Sequence, residues 1–181
     1  RMGYDAATLG NHEFDNGIDT LATILKEANF PIVCSNYDVT LSPLEGIVKP
    51  YAIRTISGVK IGIIGIGVNP TGLISDSHFH PIAYLDPILS AQQTASFLKN
   101  KKRCDLVICL SHQGTHDRVE GQLSDVRLAQ ATRDIDIIIG GHTHKIVENY
   151  YVENLDGDSV LLAQMGKSGA RIGQIWVQMS K

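Results

Sequence analysis

Two imidazoles two residues apart, in Gly140-Gly141-His142-Thr143-His144, follow the apolar run Ile135-Asp136-Ile137-Ile138-Ile139. An Ile-rich run of that length reads as a buried strand, which the paired glycines end in a sharp turn. His142 and His144 therefore emerge at the carboxyl end of a strand, where open α/β sheets place their sites. Neutral imidazole nitrogens in such a turn are suited to binding a metal. A lone His-x-His is weak evidence, because alternate residues often only line one face of a loop. Two further clusters repeat the grammar of strand, polar turn and glycine. Asn11-His12-Glu13-Phe14-Asp15 follows Ala6-Ala7-Thr8-Leu9-Gly10, and Ser111-His112-Gln113-Gly114 follows Leu106-Val107-Ile108-Cys109-Leu110. If the three strands are neighbours in one sheet, their turns converge on one edge.

The elements that must position these turns alternate between strand and helix. Helical spacing through Ile18, Leu21, Ile24 and Leu25 predicts a helix from Gly17 to Ala28, and Pro31 to Ser35 reads as a strand. Tyr51 to Ser57 and Lys60 to Gly67 are two more strands, joined tightly at Gly58-Val59. Asp86 caps a helix that opens on Pro87 and runs to about Lys102. Asp105 to Leu110 returns as a strand, and Asp125 caps a helix through Thr132. The runs 136–139, 150–153, 160–164 and 171–178 complete the chain largely as strands, with Trp176 in the core and Asp156-Gly157 in a hairpin turn. The longest irregular stretches are 36–50 and 68–81; the second His-x-His, His78 and His80, falls in the latter with no strand before it and reads as loop. Strand-helix alternation with a β-rich tail predicts an α/β domain with a mixed sheet.

Taken in order, Gly10-Asn11-His12-Glu13-Phe14-Asp15-Asn16-Gly17, Ser111-His112-Gln113-Gly114 and Gly140-Gly141-His142-Thr143-His144 resemble the later motifs of the calcineurin-like metallophosphoesterases. The long first motif is similar to the branch of 5'-nucleotidases, UDP-sugar hydrolases and 2',3'-cyclic-nucleotide phosphodiesterases. The resemblance implies a four-layer α-β-β-α sandwich with mixed sheets and metals at the strand ends. It also implies a phosphoric ester hydrolase, with a nucleotide or other phosphate ester as substrate and nucleoside monophosphates foremost. It implies two divalent ions, drawn from Zn, Mn or Fe, with Mg as a further choice. Asn11, His112 and His142 would ligate one ion and His144 the other. His12 would be the catalytic histidine, meeting the phosphate or leaving-group oxygen beside Asn11, and Asp15 would orient it. Such a dyad works if the turn after Asn11 is helical, which brings i and i+3 to one side. Read from the residues alone, Asn11 also suits a helix cap, Asp15 a turn, and His112 a bond to a backbone carbonyl. Glu13 reads as structural and His116 as solvent-facing.

Members of the family begin with an Asp-x-His motif and then a Gly-Asp motif. Here the only Asp-x-His is Asp76-Ser77-His78 and the only Gly-Asp is Gly157-Asp158, neither in the family's order. Arg1-Met2-Gly3 reads as the tail of a helix. Residues 1–181 are therefore expected to be part of a catalytic domain, incomplete at its N-terminus and without the C-terminal nucleotide-binding domain. On its own the chain is expected to hold at most one ion and to turn over poorly or not at all. A non-catalytic metal-binding or scaffold module that keeps the fold is the alternative. An uncovered sheet edge or face would favour homo-oligomers.

Composition fits a globular domain. At 181 residues and 43% hydrophobic, the chain can bury on the order of 70% of its unfolded surface. A net charge of -3 makes no electrostatic case for nucleic acid. Lys99-Asn100-Lys101-Lys102-Arg103 closes a helix, where positive charge complements the dipole. Three cysteines with no CxxC spacing disfavour zinc fingers and disulfide frameworks; Cys34 and Cys109 read as small apolar fillers. No run approaches the ~18 apolar residues of a membrane span, and no signal peptide is visible in this chain. The resemblance implies a periplasmic, secreted or cell-surface location.

Overall fold

The computed structural model describes residues 3–116 and 122–179, so Arg1 and Met2, read above as a helix tail, lie outside the described residues. The strands are β1 (Ile32–Val33), β2 (Tyr37–Asp38), β3 (Val48–Lys49), β4 (Tyr51–Ile56), β5 (Val59–Ile66), β6 (Ala83–Tyr84), β7 (Leu106–Ser111), β8 (Ile137–Ile139), β9 (Ile146–Glu153) and β10 (Ser159–Met165). The helices are α1 (Ile18–Leu25), α2 (Asp76–Phe79), α3 (Pro87–Asn100) and α4 (Asp125–Gln130). Six strands form one mixed sheet in the order β4-β5-β7-β8-β10-β9; β1 pairs with β3, and β2 with β6, as separate two-stranded ribbons. The α/β character and mixed sheet agree with the sequence reading. Of the two large sheets expected for a sandwich, one is present among the described residues.

Side-chain alternation assigns the two faces of the sheet. Ile64 and Ile66 of β5, Val107 and Cys109 of β7, Ile138 of β8, and Val160 and Leu162 of β10 point to one face. There α3 lays down Ala91, Ala95 and Leu98, at i, i+4 and i+7, and α4 adds Leu128 and Ala129. Full burial of each Leu or Ile is worth about 1.5–3 kcal/mol. Asp86 caps α3 as expected, its Oδ1 accepting from the Leu89 amide at 2.8 Å. For α4 the expectation fails by one residue. Ser124 is the cap, with Oγ accepting from Arg127 N at 3.3 Å, while Asp125 turns inward and is buried.

A second core gathers Leu9, Phe14, Leu21, Ile32, Tyr37, Leu44 and Phe79 around α1 and the small ribbons. Asn36, fully buried, ties this half to the end of β5. Its Nδ2 donates to Gly67 O and its Oδ1 accepts from Gly67 N, both at 2.8 Å. The carboxamide thus substitutes for a missing strand partner. Segment 68–81 is not wholly irregular, because Asp76–Phe79 makes one helical turn whose Phe79 is buried.

Three other expectations are corrected. The residues before Asn11 make only an isolated parallel bridge, Ala7 to Ile32, outside the six-stranded sheet. The two-residue hairpin turn is Ser57-Gly58, both at positive φ (50° and 83°), with Ile56 facing Val59. Segment 171–178 forms no strand, and Trp176 is 86% exposed. This segment lies over the face opposite α3 and α4, where Gly173, Ile175 and Val177 line a cavity together with Ile61, Leu106 and Ile137. Its backbone therefore faces side chains across that cavity rather than a strand edge, and alternation alone cannot supply a hydrogen-bond ladder. No helix among the described residues is long and apolar enough to cross a membrane.

Candidate functional site

Strands β7 and β8 are parallel neighbours, with Cys109 beside Ile138 and Leu110 beside Ile139. Their carboxyl ends therefore lie side by side, and so do the two His-bearing turns that follow. The His112 amide donates to Ile66 O at 2.8 Å, extending the β5 ladder by one step and fixing where the ring departs. The centroids of the His112 and His142 rings are 5.2 Å apart. From the other half of the chain, Asn11 Oδ1 comes within 3.2 Å of His112 Nε2. Burial, followed by the charges of His142, His12 and His144, pushes the His112 imidazole down to about 4. At neutral pH it is uncharged and keeps a lone pair for a ligand.

Gly10 makes this approach possible. A Cβ there would stand 2.5 Å from the His112 ring, so any side chain displaces the imidazole. Gly10→Ala should cost about 1–3 kcal/mol as an overpacked site. It should also shrink any rise in thermal midpoint that an added divalent ion gives the unaltered chain. An undiminished metal-induced rise would show that the ring does not need this space.

The first turn owes its shape to Phe14. His12–Phe14 is a single 3-10 turn, and Phe14 is fully buried against Tyr37 and Phe79. With Phe14 anchored inward, His12 and Asp15 face outward at i and i+3, positions that eclipse in a 3-10 turn. His12 Nδ1 and Asp15 Oδ2 are 3.0 Å apart, with side chains 77% and 59% exposed. Asn11 is buried, and its side chain makes no cap bond; it faces His112 instead. Glu13 Oε2 accepts from the Gly10 amide at 2.7 Å, a structural bond consistent with the role read for it. His116 is exposed and lies against Tyr150. His80 is exposed, and His78, half-buried on α2, lies beside Gly17.

The Gly-Gly-His-Thr-His turn is unusual in its backbone. His142 and His144 both adopt positive φ, 65° and 55°, a region costly for residues with a Cβ and concentrated at functional sites. Two buried polar groups stand behind the turn, Gln164, which the sequence reading does not single out, and Asp125, which it reads only as a helix cap. Gln164, 1% exposed at the end of β10, donates through Nε2 to Gly141 O at 2.7 Å. Asp125, 2% exposed, accepts from the Ser111 hydroxyl and packs so close to Gly140 that a Cβ there would lie 2.3 Å from Oδ2. Its Oδ1 has no partner among the described residues, and burial pushes the carboxyl up to about 7. Each is a single polar residue without a motif around it, so no local signal could have found it.

The structure thus brings together Asn11, His112 and His142, with His12 and His144 close enough for their charges to act on His112. Among the described residues no group of three or more His, Cys, Asp or Glu side chains is assembled to hold a metal. Two imidazoles and an amide oxygen are what this edge offers, and His144 does not complete a three-histidine set. That donor set suits a borderline divalent cation. The 3.2 Å between Asn11 Oδ1 and His112 Nε2 matches the edge of roughly 3.0–3.4 Å between two ligands bound at ~2.1 Å.

A model of the calcineurin-like phosphoesterase family matches residues 2–146. The trifunctional nucleotide phosphoesterase protein YfkN of Bacillus subtilis is 31% identical over 96% of this chain, which covers 14% of that protein. The 5'-nucleotidase of Vibrio cholerae is 34% identical over 81% of the chain, covering 28% of its own length. Among solved structures, a 5'-nucleotidase precursor from Thermus thermophilus superposes with a TM-score of 0.76 at 32% identity. That match takes in 89% of this chain and 33% of the other. The chain therefore spans about a third or less of the length of these relatives.

Proposed function

Because the chain belongs to the calcineurin-like phosphoesterase family, we propose that it supplies the greater part of a phosphoric ester hydrolase domain acting on nucleoside monophosphates or related nucleotide esters. The observation that carries this reading is the meeting of Asn11, His112 and His142 at one sheet edge, with the exposed His12–Asp15 pair directly following Asn11. The names of the relatives support the substrate class.

In this reading Asn11, His112 and His142 hold one divalent cation and His144 serves a second, with Zn, Mn, Fe or Mg as the choices. Bound divalent ions lower the pKa of water and offset the charge of phosphoryl oxygens. The chain's own residues do the rest. Burial keeps His112 neutral, so it need not shed a proton to ligate. The Asp15 carboxylate accepts from His12 Nδ1–H, which fixes the tautomer and leaves Nε2 for the substrate. When His12 is protonated, its Nε2–H can donate to a phosphate oxygen or to the departing alkoxide. Asn11, one residue away, brings an amide oxygen to the same edge.

The test is elemental analysis with assays of AMP and p-nitrophenyl phosphate, run on the 181-residue chain and on the full-length product of its gene. Expected are about one divalent ion per 181-residue chain, little or no turnover by that chain, and metal-dependent hydrolysis by the full-length product. Metal binding without hydrolysis in the full-length product would favour the scaffold reading and overturn this one.

A further inference from the structure

The strained double-histidine turn has one buried side chain fastened to it by two bonds and to the neighbouring turn by a third. Gln164 donates through Nε2 to Gly141 O at 2.7 Å and accepts through Oε1 from Thr143 Oγ1 at 2.9 Å and Thr115 Oγ1 at 2.7 Å. Gly141 O takes a second donor, the Thr143 amide, at 2.7 Å. Thr115 belongs to the turn after β7 that carries His112, and its amide approaches Thr143 Oγ1 at 3.4 Å. Gly114 must stay small there, since a Cβ would sit 2.5 Å from Thr143 Cγ2. One carboxamide therefore joins the turn of His112 to the turn of His142 and His144.

We propose that Gln164 is a positioning residue for the His142 and His144 ligands. It rests on the reading of that turn as a metal-binding turn. Positive φ at two residues that carry a Cβ persists only where surrounding bonds over-determine it. Gln164 supplies two of those bonds, to Gly141 O and from Thr143 Oγ1, beside the Thr143 amide bond within the turn. A leucine would fill the same strand position without the cost of burying an amide, which is unfavourable unless its donors and acceptors are met. The amide's use is directional: it sets the height of Gly141 O and the side on which Thr143 lies. His142 and His144, flanking Thr143, are turned toward the site as a result. The β10 backbone reinforces this, with Ala163 O accepting from Gly140 N at 2.8 Å just before the turn.

The experiment compares the unaltered 181-residue chain with Gln164→Met, which keeps the volume and removes all three bonds. In metal-free protein, backbone ¹³C shifts of His142 and His144 report the left-handed conformation. They should move toward averaged values in Gln164→Met while the shifts of β7 and β8 stay. Titration with Mn and Co should then show affinity lower by about 10–100-fold, as for other residues that orient ligands, with an altered Co(II) visible spectrum. A merely structural glutamine would lower the thermal midpoint and leave both readouts unchanged in the folded protein. That result, or collapsed shifts with affinity within threefold, would overturn the proposal. If the unaltered chain binds neither ion, the metal reading of the turn fails, and the shifts alone decide whether Gln164 sets its conformation. Should Gln164→Met not fold, Thr143→Val removes one hydroxyl at constant shape. It should move the same signals in the same direction by a smaller amount, and unmoved signals would overturn the proposal.

Discussion

In protein stripped of metal, Asp125→Asn should be more stable than the unaltered chain near pH 8 and no more stable near pH 4. Burial pushes the Asp125 carboxyl from 3.8 up to about 7. Between those values the folded protein holds a proton that the unfolded chain has released, so stability falls as pH rises across the window. The full difference is worth about 4 kcal/mol at 1.36 kcal/mol per pKa unit. Asparagine removes the ionisation but leaves an amide hydrogen where Oδ1 now has no partner, at a cost of about 1–3 kcal/mol. The net gain near pH 8 should therefore be about 1–3 kcal/mol, turning into a small loss near pH 4. Urea unfolding in chelator at the two pH values measures both. A gain of equal size at each pH would mean that ionisation of Asp125 is not what costs stability.

His112 tilts the profile the other way. Burial and its imidazole neighbours push it from 6.5 down to about 4. In that window the unfolded chain binds the extra proton, so stability is intact above 6.5 and is lost as pH falls toward 4. The amount is up to about 3 kcal/mol. In the unaltered chain the two slopes oppose each other and should give a nearly level profile between pH 4 and 6.5. Asp125→Asn leaves the His112 slope alone, so that variant should gain stability steadily over the same range. The opposing pair also fits the chemistry proposed for the site. Burial holds His112 neutral, as the proposed ligand role requires, and burial likewise raises the nearby Asp125 carboxyl, against the bond from Ser111.

Local chemistry made much of the fold legible. The Asp86-Pro87 start of α3, the β4-β5 hairpin and the β7 and β8 runs each carry their signal within a few residues. The turns of His112 and of His142 and His144 are legible for the same reason, because a polar turn after an apolar strand is a local pattern, whereas the residues before Asn11 form only an isolated bridge. What sequence reasoning missed depends on residues far apart in the chain. Gln164 reaches Thr115 across 49 positions and Gly141 across 23. Asn36 reaches Gly67 across 31, and nothing beside either residue announces the partner. Asp125 reads as a cap because Asp often caps helices, but Ser124 caps α4 and the carboxyl is drawn under Gly140. Trp176 reads as core because alternation suits a strand, yet it is exposed. Alternation says which side chains share a face, and it cannot say whether a neighbouring strand edge is there to receive the backbone.

The largest effect should come from His12. In the full-length product of the gene, His12→Ala should lower kcat for AMP by about 10²–10⁴, the usual range for a positioned acid or base. Bound metal should be unchanged, because His12 is oriented by Asp15 and is assigned no ligand role. Asp15→Asn should be milder. The His12–Asp15 pair is solvent-exposed, and such pairs are worth about 1 kcal/mol or less, or roughly fivefold in rate. Because Asp15 acts through His12, the double variant should be no slower than His12→Ala alone. Elemental analysis of each variant separates lost chemistry from lost metal. If His12→Ala keeps kcat within threefold, the exposed dyad takes no part in the reaction. If it loses metal together with rate, His12 is itself a ligand, and Asp15 orients a metal-binding imidazole instead of a proton donor.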